Sequence, residues 1–343
     1  MIQIGNIKFP EKPLFLAPME DVSDPPFRRL CKKQGADMVY TEFISADGLI
    51  RDAEKSIKKL DIYEEERPVG IQIFGGEEGP MKRSAEIVEA ANPNVLDINY
   101  GCPVKNVVCR NAGSGILQDI DRMIRLTEAI VKSTSLPVTV KTRLGWDAQS
   151  IRIVEIAERL QDIGIKALSV HCRTRHQMYS GKADWSWIGR IKDNPRIHIP
   201  IIGNGDIQRP EDALALFNQY GADGVMIGRA SIGYPWIFRE IKHFFATRSF
   251  LPVPDVDERV DTALEHLRHS LEWKGVKLGI LEMRRHYAPY LRGLPNIRQY
   301  RNQLVRAESQ QEVTDLLEEV RSSFLGMDIR FEKNTADGEY ADY

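Results

Sequence analysis

The 343-residue chain is poor in several things at once, and each shortage removes a class of protein. It has four cysteines, Cys31, Cys102, Cys109 and Cys172, too few and too scattered for the disulfide framework of a small secreted domain. No CxxC occurs, and the interval from Cys102 to Cys109 matches neither zinc-ribbon nor iron–sulfur spacing, so no metal is expected. Apolar runs such as IPIIG and LFLAP stop far short of the roughly 20 residues a membrane helix needs. The opening MIQIGNIKFPEKPLFLAP lacks a basic segment leading into an apolar core and cleavage site, so no secretory address is expected and the cytoplasm is the expected location. Net charge is only -2, which argues neither for nor against a nucleic-acid partner; its distribution matters more.

What is present is an ordinary globular composition, 42% hydrophobic and 28% charged, over a length that exceeds one usual core. Eight β-rich runs recur in the first 230 residues: LFLAP (14–18), DMVYTEF (37–43), VGIQIF (69–74), VLDINYG (95–101), PVTVKTR (137–143), ALSVHCR (167–173), IPIIGNGD (199–206) and DGVMIGR (223–229). Amphipathic stretches such as MKRSAEIVEAAN, DRMIRLTEAIVKS, IRIVEIAERLQDIG and PEDALALFNQYG lie between them. Eightfold strand–helix alternation at this length predicts an α/β fold of the (β/α)8 TIM-barrel type over residues 1–243, with a doubly wound open sheet as the alternative.

After Arg229 the pattern changes, and FFATRSFLPVPDVDE reads as a connector. From Asp257, Val260, Ala263, Leu264, Leu267 and Leu271 fall at helical intervals, and Ser309 with Glu312 stands at capping-box spacing before Val313, Leu316, Leu317 and Val320. A C-terminal all-α domain is expected over 257–325, and a polar, acidic, disordered tail over 332–343.

Barrel active sites lie where strands end, and unusual chemistry collects there: APM after the first run, Gln72, NYGCP, Lys141 and Arg143, His171, NGD and GR. Gly205 and Gly228 after the seventh and eighth runs permit close backbone approach to a phosphate, and Arg229 adds a charged fork. A lysine such as Lys141 directed into the mouth needs an anion, an electron-rich ligand or a Schiff base; directed outward it merely snorkels. His171 and Gln72 taken singly fit a structural role as well as a ligand.

LAPMEDVSDPPFRRLC, INYGCPVKNVVCRNAGSGIL, VTVKTRLGW, SVHCRTRHQMYSGKADW, IGNGDI and VMIGRASIGYPWIF together resemble the tRNA-dihydrouridine synthase family, closest to its bacterial B-type, from about residue 4 to 325. The resemblance implies an oxidoreductase that uses NADPH to reduce bound flavin mononucleotide (FMN) and then a tRNA uridine. It places Pro18, Met19, Glu20 and Gln72 around the flavin, Lys141 at the isoalloxazine edge, His171 beside it, and Asn204, Gly205, Asp206, Gly228 and Arg229 at its phosphate. Two positions depart from the pattern: Glu20 stands where alanine is common, and Asn106 where a second lysine often follows Lys105.

Saturating a uracil C5=C6 bond takes a hydride at C6 and a proton at C5. A thiol with a reference pKa of about 8.5 keeps its proton near neutrality and suits a general acid. Cys102, held between Gly101 and Pro103 at a strand end, is where the resemblance puts the catalytic cysteine. Cys31 and Cys172 read as packing residues and Cys109 as a bystander. Asn99, on the same strand face as Asp97, is the candidate for reading the uracil edge.

From Arg268 to Arg306 nine basic residues, Arg284 and Arg285 among them, face only Glu272 and Glu282, a net +7. Trp273, Tyr287, Tyr290 and Tyr300 are interleaved, offering rings to bases or sugars, and Arg173 with Arg175 is expected to extend the positive surface toward the mouth. The resulting expectation is a monomeric, tRNA-binding enzyme that flips a uridine into a flavin pocket. The rival readings are an FMN-dependent small-molecule oxidoreductase of dihydroorotate-dehydrogenase-like type, a Schiff-base lyase built on Lys141, and a non-catalytic RNA-binding protein.

Overall fold

The computed structural model describes residues 2–327 and 329, and the tail expected over 332–343 lies outside the described residues. The chain forms two compact units, the first ending at Phe250 and the second beginning at Leu251.

In the first unit eight parallel strands, β1 (Leu14–Leu16), β2 (Val39–Tyr40), β3 (Val69–Phe74), β4 (Val95–Tyr100), β5 (Val138–Arg143), β6 (Ala167–His171), β7 (Ile201–Asn204) and β8 (Gly224–Ile227), pair in the order β1-β8-β7-β6-β5-β4-β3-β2. Phe15 of β1 bridges Met38 just ahead of β2, and Leu16 N donates to Met38 O at 2.9 Å, which closes the ring. The structure is therefore a (β/α)8 barrel; the strand order never reverses as a doubly wound sheet requires. Because both faces of such strands are covered, β3 and β4 are buried almost without break, and their sequences are correspondingly apolar.

Crossover helices α1 (Pro25–Lys33), α2 (Glu78–Ala90), α3 (Ile120–Val131), α4 (Ile153–Asp162), α5 (Ser186–Lys192) and α6 (Pro210–Asn218) separate the strands, and α7 (Ile237–Thr247) follows β8 and runs past residue 243. Between β2 and β3 two short helices, Ala46–Leu49 and Glu54–Lys58, replace a single crossover. Helix α1 starts where the Asp24 carboxylate accepts from Phe27 N at 2.9 Å and Pro25 fixes the first turn.

Two features depart from the sequence expectation. The run 37–43 pairs as a strand only at Val39–Tyr40, because Thr41 Oγ1 accepts from Gln72 N at 3.2 Å in place of a ladder bond, and the chain rejoins β3 at Ile44–Ser45. An antiparallel hairpin, Ile2–Ile4 with Ile7–Phe9, precedes the barrel and packs Ile4 and Phe9 against Phe15, Met38, Tyr40, Val95, Ala167, Ile202 and Met226. Its turn residue Gly5 has φ 60°, and a Cβ there would lie 2.3 Å from Pro137 Cγ, so only glycine fits. Gly5-Asn6 was the hairpin signal; the three-residue arms were too short to show alternation.

The second unit contains α8 (Val256–Lys274), α9 (Val276–Tyr290), α10 (Arg298–Leu304) and α11 (Gln310–Phe324), with no strand among the described residues. Asp255 caps α8, and the Ser309–Glu312 capping box opens α11. Val260, Ala263, Leu267, Val313, Leu317 and Val320 form its core, joined by Tyr287 and Tyr290. The buried Arg259 guanidinium donates to the carbonyls of Pro254, Tyr290 and Arg292, satisfying acceptors at the end of α9.

Candidate active site

Strand register stacks the inward polar residues in layers. Gln72 of β3 is level with Asp97 of β4 and Thr139 of β5; above them Asn99 pairs with Lys141 and Lys141 with Ser169; above those Arg143 pairs with His171. The lower layers are joined by one buried relay. Thr139 Oγ1 donates to Asp97 Oδ1, and Gln72 Nε2 donates to Asp97 Oδ2 at 2.5 Å. Asn99 Nδ2 donates to Gln72 Oε1 at 2.8 Å, and Asn99 Oδ1 accepts from both Gly101 N and Cys102 N at 2.9 Å. Asp97 is raised to about 6 by burial, against the hydrogen bonds from Thr139 and Gln72 and the field of Lys141.

The relay engages both amides. Asn99 orients the backbone of Cys102, with one Nδ2 hydrogen on Gln72. Gln72 is 0% exposed, with one Nε2 hydrogen on Asp97 and its Oε1 on Asn99.

Cys102 sits at the β4 rim, 7% exposed. Its carbonyl accepts from Ser114 N at 3.0 Å and Ser114 Oγ at 2.8 Å, and Arg143 Nε donates to the preceding carbonyl of Gly101 at 2.8 Å. Gly113 (φ 53°) makes this return possible, since a Cβ there would lie 2.9 Å from Cys102 O. Burial pushes the thiol pKa upward, the Glu20 carboxylate adds to that, and the Val104 N–H, Arg143 and Lys141 oppose it. A thiol so placed holds its proton at neutral pH and has donors and cations ready when the proton leaves. Cys31 and Cys172 are buried and Cys109 is exposed.

Lys141 is half-buried, and its Nζ has no hydrogen bond among the described residues; burial and Arg143 lower it to about 8 despite Asp97. His171 lies well below its ordinary value because of burial first and then Arg143, Lys141, Arg173 and Arg229, so its ring is neutral. Its Nε2 faces Arg173 Nη1 at 3.4 Å and accepts, which leaves the proton on Nδ1.

At the ends of β7 and β8 the main-chain N–H groups of Gly205, Asp206 and Gly228 have no acceptor among the described residues, and the Arg229 guanidinium stands beside them. Gly205 has φ 116°, and a Cβ on it would lie 3.0 Å from His171 Cδ2. One on Gly228 would lie 3.6 Å from Met19 Sδ of the β1 loop, so the first and eighth loops meet here. Unbonded N–H groups with a guanidinium form a donor set suited to a phosphate, and the glycines leave a cradle that side chains would fill. The Asp206 carboxylate serves the protein, accepting from Arg173 Nη2 at 2.6 Å and Ala183 N at 2.8 Å and pairing with Arg229 at 3.5 Å. Asn204 Nδ2 donates to Met226 O at 2.8 Å. Pro18 and Met19 are half-buried at the β1 rim, whereas Glu20 points its carboxylate to Lys59 at 2.6 Å.

The basic residues differ in exposure, and one of them, Arg173, departs from the expectation. Arg173 is 2% exposed and bound to Asp206 and to the carbonyls of Ser180 and Gly181, so it adds nothing to a positive surface. Arg175 is half-buried over the Trp146 ring at 4.8 Å. In the helical unit Tyr287, Tyr290 and Tyr300 are core residues, Arg284 donates to Ala307 O at 3.1 Å, and both Arg284 and Arg285 are half-buried. The exposed basic residues are instead Arg268, Lys277, Arg292, Arg298, Arg301 and Arg306.

Arg143 and Tyr179 carry more of the site than the sequence suggested. Arg143 Nη1 donates to Thr174 O at 3.1 Å and Met178 O at 2.8 Å, so this one buried cation ties the β4 and β6 loops together. The exposed Tyr179 ring lies 5.7 Å from the Arg143 guanidinium, 4.6 Å from that of Arg229 and 6.2 Å from the His171 ring. The available signal for Arg143 was its spacing of two from Lys141, which puts both on one strand face.

The barrel resembles that of 2-naphthoyl-CoA reductase (TM-score 0.55, 12% identity, 71% of this chain) and of 6-hydroxypseudooxynicotine amine oxidase from Pseudomonas geniculata (TM-score 0.57, 11% identity, 77%). The chain spans about half of each of those structures, and the likeness is one of fold. In sequence it is 38% identical to tRNA-dihydrouridine synthase B of Pseudomonas aeruginosa, over 90% of this chain and 92% of that protein. It is 39% identical to the probable tRNA-dihydrouridine synthase 1 of a Synechocystis strain, over 94% and 90%. Residues 15–325 match the dihydrouridine synthase (Dus) family, and the chain belongs to that family.

Proposed function

We propose that the protein reduces a uridine of tRNA to 5,6-dihydrouridine, with Cys102 as the proton donor to C5. The observation that carries this reading is the seating of a protonated thiol at the β4 rim, its backbone held by Asn99, in the same mouth as Lys141, His171 and the unbonded N–H groups of β7 and β8.

That donor set fits FMN, with Gly205, Asp206, Gly228 and Arg229 holding the phosphate by backbone N–H and guanidinium, and Pro18 and Met19 lining the β1 side. The chemistry expected of a flavin there is hydride delivery to C6 of the uracil, with NADPH as the source of reducing equivalents. Lys141, a cation with no hydrogen-bond partner among the described residues, is available to an electron-rich ring edge, and neutral His171 presents Nδ1–H as a donor. Cys102 Sγ loses its proton to C5, and the thiolate left behind is stabilised by the Val104 N–H, Arg143 and Lys141 before a solvent proton restores it.

The exposed arginines of the second unit supply contacts to RNA phosphates, which select by shape and charge while the barrel does the chemistry. No helix among the described residues is long and apolar enough to cross a membrane, and a monomer working in the cytoplasm fits this reading. The test is anaerobic bleaching of the purified yellow protein by NADPH, followed by reoxidation on adding tRNA from a strain lacking the gene, with dihydrouridine measured in the product. Reoxidation without dihydrouridine, or by small enones in place of tRNA, refutes it.

A further inference from the structure

A second concavity opens beside the thiol loop. It encloses about 530 Å³ and is lined by Ser45 and Asp47, Arg51, the strand-end segment Phe74 to Glu77, and Arg110 to Ala112. The last of these continues directly into Gly113 and Ser114, which seat Cys102, so one loop forms both the wall of this cavity and the support of the proton donor. The same loop packs closely on the end of β3: a Cβ on Gly76 would lie 2.4 Å from Arg110 O.

The side chains around the cavity are chemically uneven. Glu77 is neutralised by Arg122 at 2.8 Å, whose guanidinium also donates to Gly76 O. The side chains of Arg51 and Arg110 are exposed and have no ion pair or hydrogen bond among the described residues, and that of half-buried Asp47 likewise has none. Phe74 offers a half-buried ring packed edge-on to Phe43 at 5.5 Å. Two open guanidinium groups suit a phosphate, a carboxylate suits a ribose hydroxyl, and an aromatic ring suits a base.

We propose that this cavity binds the nucleotide next to the target uridine, with Arg51 and Arg110 on its phosphate and Asp47 on its ribose. The inference rests on the tRNA reading above. A base drawn out of its stack remains tied on both sides to its neighbours, and the cavity shares the loop that seats Cys102, which puts it beside a base presented to that thiol. Gripping the neighbour there holds the uracil against the thiol without any contact to the uracil itself.

The experiment uses the full-length, flavin-loaded protein and its Arg51→Gln, Arg110→Gln and doubly substituted variants. The measurements are KM for tRNA at several salt concentrations, KM for NADPH, and thermal unfolding to confirm folding. Each single variant is expected to raise KM for tRNA about fivefold and to reduce the salt slope by about one, with the double variant adding both effects. Arg110→Lys should keep the slope and lose only part of the affinity. The bleaching rate with NADPH and the KM for NADPH should stay within twofold of wild type. Unchanged KM for tRNA and unchanged salt slope in the double variant, while the wild type forms dihydrouridine, overturns the inference and leaves the tRNA reading standing. A raised KM for NADPH with tRNA unaffected also overturns it, assigning the cavity to the reductant. A wild-type protein that forms no dihydrouridine refutes the tRNA reading itself.

Discussion

Replacing Asp97 with asparagine changes one oxygen into an NH2 and leaves the shape of the side chain alone, yet combined with loss of the Thr139 hydroxyl it should disturb a chain of amides that ends at the backbone of Cys102. At pH 8, above the value of about 6 to which burial raises it, Asp97 is ionised and only accepts. It therefore compels Gln72 to present Nε2 downward and Oε1 upward, and Oε1 in turn compels Asn99 to present Nδ2 to Gln72 and Oδ1 to the N–H groups of Gly101 and Cys102. A hydroxyl at Thr139 could turn to accept the new NH2, so the perturbation combines Asp97→Asn with Thr139→Val, which leaves the NH2 facing either a methyl group or Gln72. In the second case Gln72 turns over and the mismatch moves up the relay to the backbone of Cys102. Whichever position absorbs it, a buried donor is left without an acceptor, a cost of roughly 1–3 kcal/mol. For a domain of this size that corresponds to a Tm loss of about 2–4 °C per kcal/mol. The rate of uridine reduction should fall about 100-fold through misplacement of the thiol, measured as single-turnover dihydrouridine formation by pre-reduced protein at pH 8. Thr139→Val is the control: it removes a donor to Asp97, lowers Tm similarly, and leaves the relay's direction intact, so its rate should stay within about threefold. Equal rates in the doubly substituted protein and in Thr139→Val, or a doubly substituted protein with wild-type rate, refute the relay.

Four further outcomes are expected. Cys102→Ala should keep the flavin and its bleaching by NADPH but lose about 10²–10⁴-fold in dihydrouridine formation; retention of activity would remove Cys102 from the chemistry. In the wild type, single-turnover reduction should be flat through neutrality and decline only on the alkaline side of the ordinary thiol range, because burial raises the Cys102 pKa and the acid must be protonated; a decline already at pH 7 contradicts this. Lys141 binds its proton less tightly folded, at about 8, than unfolded, at 10.5, so its unfavourable burial is fully felt below pH 8 and relieved as pH rises toward 10.5. The Tm difference between Lys141→Met and wild type should therefore shrink across that window, and a difference independent of pH would count against it. Arg298→Glu with Arg301→Glu, both exposed, should weaken tRNA binding in a salt-dependent way without altering flavin bleaching, while Arg173→Leu should act chiefly on Tm by removing the nearer of the two guanidinium partners of Asp206.

The strands could be found in the sequence because both faces of a barrel strand are buried, so VGIQIF and VLDINY are written as apolar runs between turn signals. Positions at strand ends, Cys102, Lys141, His171 and Gly205 among them, followed from that count, since strand periodicity is local. Much else depended on what lies across the barrel. Nothing near Asn99 in the chain shows that its amide will meet Gln72, 27 residues earlier, and be turned by Asp97 toward Cys102 N. The alternation that put Asn99 on the right face could not distinguish a base reader from a backbone clamp.

Charge behaved the same way. Counting arginines from 268 to 306 located a basic segment, but which of them face solvent was set by helix packing, and Arg284 and Arg285 turned partly inward while Arg298 and Arg301 did not. Arg173 reads in sequence as part of a positive surface and is buried because carbonyls and Asp206 from other loops converge on it, as carbonyls do on Arg143 at the mouth. What the sequence determined by itself was the number of strands, their order and the residues at their ends, because backbone periodicity and turn chemistry are short-range. Which polar atoms are left unbonded, the thing that makes a site, was decided only in the tertiary structure, because each donor's partner comes from another strand.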